Sequence, residues 1–165
     1  MKSLILALAC AFFVSGTLLA DDAAAGQGKE MTKIHVIKDG PLPTVNASAD
    51  NFTGDVTVAR LFPPQDALGL SGGYVTFSPG ARTNWHTHPE GQLLIITAGK
   101  GRVQQEGEPV IEVKEGDVVF FPPNVKHWHG AAPDQSMTHI AMAKIIEGKA
   151  ATWLEKVDDA QYNSR

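Results

Sequence analysis

From Gly73 to Gly130, no more than eight residues separate one glycine or proline from the next. A typical helix needs about eleven residues, whereas a strand is complete in about five or six. The middle of the chain is therefore confined to short strands closed by turns. Ser78-Pro79-Gly80, Pro89-Glu90-Gly91, Gly99-Lys100-Gly101, Glu106-Gly107-Glu108-Pro109 and Glu115-Gly116-Asp117 supply the turn chemistry. Between them the pattern predicts strands at residues 74–77, 83–88, 93–97, 102–105, 110–113 and 118–121, with a further strand at 140–146. Two β-type runs come earlier, at 34–37 and 56–61, and a loop runs from Pro63-Pro64 to Gly72-Gly73. Only residues 150–161 have helical spacing, with Trp153, Leu154 and Val157 on one side. Many short strands with Gly/Pro turns predict one all-β domain, an antiparallel sandwich or barrel, with a short C-terminal helix.

The N-terminus has a different character. Lys2 is followed by the apolar run Leu4-Ile5-Leu6-Ala7-Leu8-Ala9-Cys10-Ala11-Phe12-Phe13-Val14, then small residues before Asp21-Asp22. A basic start, an apolar stretch and small residues describe a secretory signal peptide at 1–20, with Ala25 as a later cleavage point. A retained membrane anchor is the alternative. Lipid attachment at Cys10 fits less well, because Ala7 stands where a leucine is expected and the apolar run continues past the cysteine. Residues 21–33 read as a flexible leader, small and polar, and 34–165 as the domain. The expected location is periplasmic or secreted.

Charge then narrows the partners. The chain carries 14 Lys+Arg and 18 Asp+Glu, and loss of residues 1–20 removes Lys2 alone, which leaves a formal −5. That balance argues against nucleic acid and, after signal cleavage, against an anionic membrane, since both need basic patches. Cys10 is the only cysteine, so the exported chain cannot be held by disulfides and must fold on its hydrophobic core.

Five of the six histidines fall between positions 86 and 139. His86-Thr87-His88 and, 39 positions beyond His88, His127-Trp128-His129 place each pair on one face of a strand, because successive side chains point to opposite faces. Neutral imidazole is a common transition-metal ligand, and three imidazoles with one oxygen donor suit a divalent metal that keeps positions open for substrate. Trp85 and Trp128 alternate against the histidines and are expected on the opposite face, at an intersheet or dimer contact.

These residues resemble the cupin superfamily. Gly80, His86, His88, Gln92 and Gly99 match the spacing of its first motif, with Gln92 in place of the usual glutamate. Gly116, Pro122, Asn124 and His127 fit the second motif, with Asn124 where glycine is usual and Ala131 where asparagine is usual. The match covers 52 residues, with 16 between the motifs. The resemblance implies a cupin fold, a double-stranded β-helix or jelly-roll barrel. A closer likeness, through Pro79–Pro89, Gly91-Gln92, 126–133, Met137-Thr138-His139 and the C-terminal Trp153, Val157 and Gln161-Tyr162, is to the manganese-dependent bacterial cupin hydroxynitrile lyases. Those enzymes reversibly cleave cyanohydrins to an aldehyde and hydrogen cyanide.

By position, that likeness implies His86, His88, Gln92 and His127 as metal ligands, with Mn(II), or alternatively Fe(II), bound. It implies His129 and His139 as cavity residues that do not ligate and that carry acid–base roles. The expected partners are a small-molecule substrate and further copies of the chain in a homo-oligomer. Glu90 is the only nearby carboxylate that offers a substitute for Gln92, and its turn breaks the spacing. Three imidazoles and a carboxamide leave a divalent metal at +2, where a glutamate would reduce the site to +1. That favours redox-neutral Lewis-acid chemistry over dioxygen activation. Two other classes stay open: a metal-dependent oxygenase or decarboxylase of small hydroxylated or dicarbonyl compounds, and a non-enzymatic metal- or small-molecule-binding protein. Phe120-Phe121-Pro122-Pro123 reads as core and turn.

Overall fold

The computed structural model describes residues 33–164, apart from 35, 39 and 63–67. The proposed signal peptide therefore lies outside the described residues. Among the described residues, twelve strands and one short helix follow in order: β1 (Val45–Asn46), β2 (Phe52–Thr53), β3 (Val56–Arg60), β4 (Leu70–Phe77), β5 (Arg82–Thr83), β6 (His86–Thr87), β7 (Gln92–Gln105), β8 (Ile111–Lys114), β9 (Val118–Phe121), β10 (His127–Ala131), β11 (Met137–Lys144), β12 (Thr152–Trp153) and α1 (Asp159–Tyr162). All the strand pairings among them are antiparallel. The architecture is a cupin fold, a sheet curled into a jelly-roll half-barrel.

One strand makes the curl. The sequence places a turn at Gly99-Lys100-Gly101, but β7 runs unbroken through it for 14 residues. Its first half pairs with β11 and β9, and its second half with β10 and β8. The change of neighbours coincides with a register shift at Thr138/His139 and with a left-handed Gly99 at φ +77°. A Cβ on Gly99 would run into the Ser136 carbonyl, so only glycine lets the strand bend this tightly against the bulge. The glycines expected to end a strand instead let it pass from one sheet to the other. That bend brings Gln92 and His127, from opposite halves of the barrel, to one centre.

Other boundaries move for identifiable reasons. The run at 83–88 splits into β5 and β6 around Asn84-Trp85, where the Asn84 amide donates to the Asp50 carbonyl (2.8 Å) and the Trp85 N–H to the Glu155 carbonyl (3.0 Å). Residues 34, 36 and 37 form no strand and are exposed. The helix expected over 150–161 shrinks to α1, capped by Asp158 with Gln161 completing a capping box. Before it, Trp153 pairs in β12 with His86, and Trp153 and Leu154 are each 37% exposed while Val157 is buried. The helical spacing was overridden because the main chain here pairs with β6 and β5–β6 loop atoms rather than with itself.

Inward-facing side chains fill the barrel: Val56, Val75, Phe77, Leu94, Ile96 and Met137 are among its buried core. A second cluster lies on the other face, where Trp85 and Trp128 pack with Val157 and Tyr162. The two tryptophans do alternate against the histidines, but the chain's own C-terminal arm covers them. Arg82 fastens that arm. Its Nε and Nη2 donate to the Val157 carbonyl (3.0 and 2.9 Å), Nη2 reaches Asp159 at 2.8 Å, and the guanidinium lies over the Tyr162 ring. The Tyr162 hydroxyl donates to the Ala131 carbonyl at 2.7 Å.

Candidate metal centre

Each motif delivers its histidines for a local reason. His86 and His127 are direct cross-strand partners in β6 and β10, so their rings meet with centroids 4.3 Å apart. His88 follows β6 into the Pro89-Glu90-Gly91 turn, its ring 5.1 Å from His86 and 5.6 Å from His127. Asn124 stands in the left-handed region at φ 61°, which explains why a glycine position accepts asparagine, and its N–H donates to the His88 carbonyl (2.8 Å). Gln92 opens β7 and is buried beside them, and His129 and His139 are buried as well.

The hydrogen bonds fix the protons. Nδ1 of His86, His88 and His127 faces the carbonyl oxygens of Asn84 (2.9 Å), Ala150 (2.7 Å) and Val125 (2.8 Å). A carbonyl can only accept, so each Nδ1 carries the hydrogen and each Nε2 presents a lone pair to the centre. Nε2 of His88 is buried without a hydrogen-bond partner. Nε2 of His127 lies 3.1 Å from Oε1 of Gln92, which sets two acceptors against each other. A cation between them relieves that contact; otherwise the amide must turn. Preset tautomers, an orphaned nitrogen and converging acceptors fit a divalent metal with imidazole and carboxamide ligands.

Electrostatics agree. Burial holds His86 and His129 well below the ordinary histidine range, lowers His88, and pushes His127 down to about 4 and His139 to about 3. At neutral pH all five are uncharged, the form that binds metal. Glu90 stays outside: its half-exposed carboxylate lies 3.8 Å from Lys144. Among the described residues the site is thus neutral before any metal binds.

A second grouping of nitrogens stands beside the expected ligand set. One ring nitrogen from each of His86, His127 and His129 lies within 4.8 Å of the other two. His129, expected to line the cavity, is thus close enough to His86 and His127 to share a cation with them. Its Nδ1 is 3.3 Å from Nε2 of His139, whose own Nδ1 is buried without a partner.

Three further residues shape the site. The Phe121 ring stacks on His127 at 3.7 Å between centroids and 12° between planes. Phe121 pairs with Gln92 across β9 and β7, so the alternation in 118–121 already carried the signal that it faces inward. Phe77 packs against His129 and His139. Trp153 lies over His86 at 4.8 Å and against Phe52 at 5.4 Å. No periodicity marked Trp153, because the contact depends on where the C-terminal arm folds back. One surface cavity lies apart from the histidines, lined by Lys100, Arg102, Glu112 and Lys114, and a shallow hollow beside Leu93 and Phe120 reaches Gln92 from the outside.

Comparison with known proteins supports the same reading. The family described as "Cupin domain" matches residues 73–143. An (R)-mandelonitrile lyase from Granulicella tundricola is 55% identical over 114 residues, which are 69% of this chain and 87% of that protein. Among solved structures, a cupin-like protein from Thermotoga maritima is 46% identical with a TM-score of 0.68, covering 71% of this chain and 89% of its own. A cupin 2 conserved barrel domain protein from Rhodopseudomonas palustris, at 21% identity and TM-score 0.57 over 68% and 77%, shares the fold.

Proposed function

The chain belongs to the cupin family, and from that premise we propose that it is a metal-dependent lyase of the hydroxynitrile-lyase type, which reversibly cleaves small cyanohydrins into an aldehyde and hydrogen cyanide. The observation that carries this reading is the 55% identity to a protein named (R)-mandelonitrile lyase, over 87% of that protein's length. The neutral, carboxylate-free histidine cluster supports it.

In this reading His86, His88, Gln92 and His127 hold a divalent metal, Mn(II) or Fe(II). Bound there, it supplies Lewis acidity that favours an ionised substrate hydroxyl, and four neutral ligands leave its charge undiminished. The rest falls to the chain's own residues. His129, kept neutral by burial, accepts the hydroxyl proton. Proton transfer through the ring to the His139 side, 3.3 Å away, is the natural relay. As the carbonyl forms, the carbon–carbon bond breaks and cyanide leaves with its electron pair. The protonated histidine then returns its proton to cyanide, giving hydrogen cyanide. The reverse sequence joins the two. No oxidant enters the balance. Phe77, Phe121 and Trp153 line the surroundings with aromatic surface and keep them dry.

Export of the chain by residues 1–20 to the periplasm or medium belongs to the same proposal. The test is aldehyde release from a cyanohydrin panel, measured anaerobically on protein loaded with Mn(II). Turnover without dioxygen is expected. Stoichiometric metal with no turnover on any cyanohydrin would overturn the lyase reading.

A further inference from the structure

The outward face of the β7–β8 hairpin gathers three cations. Lys100 and Lys114 are direct cross-strand partners, and Arg102 stands two residues beyond Lys100, opposite Glu112. Their neighbours Gly101, Val103 and Val113 are buried, so alternation turns Lys100, Arg102, Glu112 and Lys114 to the outside. Cβ atoms of directly opposed residues lie only about 4.5–5.5 Å apart, and like charges so placed destabilise a strand pair. Neither lysine ammonium has an ion-pair partner among the described residues. This face is also separate from the histidines: Arg102 pairs with Gly130 across β10, whereas the inward Val103 pairs with His129.

A cavity of about 650 Å³ opens on these residues. Ala132, Pro133 and Asp134 of the β10–β11 loop line it as well, with Asp117 from the β8–β9 turn. Hydrogen bonds hold both segments to the hairpin. The Ala132 N–H donates to the Lys100 carbonyl (3.0 Å), and the Lys100 N–H to the Ser136 carbonyl (3.1 Å). The Asp117 carboxylate accepts from the Lys114 N–H at 2.8 Å, and the Asp117 N–H donates to the Lys114 carbonyl at 3.0 Å. Arg102 is half-buried, and its donors are poorly met. Nη2 lies 3.6 Å from the Glu112 carboxylate, Nη1 donates to the Tyr162 carbonyl at 3.3 Å, and Nε is buried without an acceptor. None of these is a charge-assisted bond of about 2.7–2.9 Å, so the guanidinium lacks a close anion.

We propose that this cavity binds a small anionic molecule through a carboxylate or phosphate group, held by Lys100, Arg102 and Lys114. Its volume falls within the roughly 300–1,000 Å³ of small-molecule sites, and the paired backbone gives it preformed walls. An oxyanion among the three cations relieves the Lys100–Lys114 repulsion. It also offers Arg102 the two-oxygen acceptor that a planar guanidinium favours. Glu112, Asp117 and Asp134 bring three carboxylates to the same cavity, so it carries no net excess of positive charge. That balance repels an extended polyanion such as nucleic acid and restricts the ligand to a small molecule with one anionic end. Because the cavity lies on the opposite face of the sheet from His129, the proposal does not depend on the metal centre or on the lyase reading.

The experiment titrates the Mn(II)-loaded chain with malate and, separately, with inorganic phosphate, by calorimetry at fixed ionic strength. Circular dichroism and metal content are recorded on every variant. One saturable site per chain is expected, and the tighter-binding probe assigns the recognised group as carboxylate or phosphate. The double variant Lys100→Gln/Lys114→Gln, at exposed positions, should keep fold and metal and weaken binding by at least ~10-fold, as loss of charge-assisted hydrogen bonds does. Arg102→Gln should weaken it by a similar factor; the lysine variant carries the test if loss of the Tyr162 contact disturbs the fold. Lys144→Gln, which removes a charge outside the cavity, should leave binding unchanged. Absence of saturable binding by either probe overturns the proposal, as does a natively folded lysine variant that binds like the parent. Equal weakening by Lys144→Gln would reduce the effect to the overall charge of the chain and reject a built site. Binding lost in His88→Ala but kept in the lysine variant would assign the anion to the metal centre and reject this cavity.

Discussion

The carbonyl oxygen of Ala150 stands 2.7 Å from Nδ1 of His88. It lies beyond the stretch 73–143 matched by the cupin family, yet it determines which nitrogen of His88 faces the centre. The arm that supplies it is held by the Arg82 contacts to Val157 and Asp159 and by Trp153 across His86. The C-terminal segment is thus part of the candidate metal centre, through an oxygen that any residue type could provide.

Metal content tests the ligand set. The purified protein is expected to carry about one divalent metal per chain, and His88→Ala should leave it far below stoichiometric by elemental analysis. Trp153→Ala loosens the arm that orients His88 and should lower metal affinity by ~10–100-fold, the range seen when outer-shell partners are removed. Full occupancy in His88→Ala would remove His88 from the set and point to His86, His127 and His129 as the ligands.

Replacing Gln92 by Glu keeps an oxygen donor beside Nε2 of His127 and subtracts one unit of charge. Metal should stay bound. The loss of one unit of positive charge weakens alkoxide stabilisation, so turnover should fall and the acidic limb of the pH–rate profile should move to higher pH. A profile that superimposes on the parent's would show that the Gln92 side chain does not touch the metal.

His129→Ala should lower kcat/KM by at least ~10²-fold while the protein folds normally, the lower bound for loss of a general base. Metal content separates the two roles that the geometry allows, since a ring nitrogen of His129 lies within 4.8 Å of those of His86 and His127. Retained metal identifies a proton carrier, and lost metal identifies a ligand. His139→Gln probes the relay behind it. A smaller loss than His129→Ala, with an altered pH profile, is expected if His139 acts through His129.

Acid should unfold the metal-free protein earlier than its carboxylates alone would require. Burial holds all five site histidines below their ordinary value of 6.5, with His127 at about 4 and His139 at about 3. The folded state keeps them neutral, whereas the unfolded chain binds protons as pH falls through 6.5. Their stabilisation is complete above that pH and is lost progressively as pH drops toward 4, by about 1.4 kcal/mol per pH unit for each linked proton. Urea midpoints of chelator-treated protein at several pH values check this. A midpoint that does not fall between pH 7 and 5 would mean the histidines are not buried neutral.

The periodicity of apolar residues and the spacing of glycines and prolines were enough to determine an all-β domain, because strand alternation and turn geometry are local. The same locality put His86, His88, Gln92 and His127 within two motifs and placed Trp85 and Trp128 behind them. Local rules also misled where a long-range partner decided the outcome. Gly99 and Gly101 look like a turn in isolation, yet the approach of Ser136 and Met137 makes them a bend within β7. Residues 150–161 carry helical spacing, yet pairing of Trp153 with His86 and of Leu154 with Trp85 holds most of them extended. Phe121 on His127, Trp153 on His86 and the Ala150 carbonyl on His88 were settled by closure of the barrel and return of the arm. Contacts between residues 6 to 67 positions apart have no period to reveal them, so only the tertiary structure supplies the tautomers and the aromatic walls on which the proposed chemistry rests.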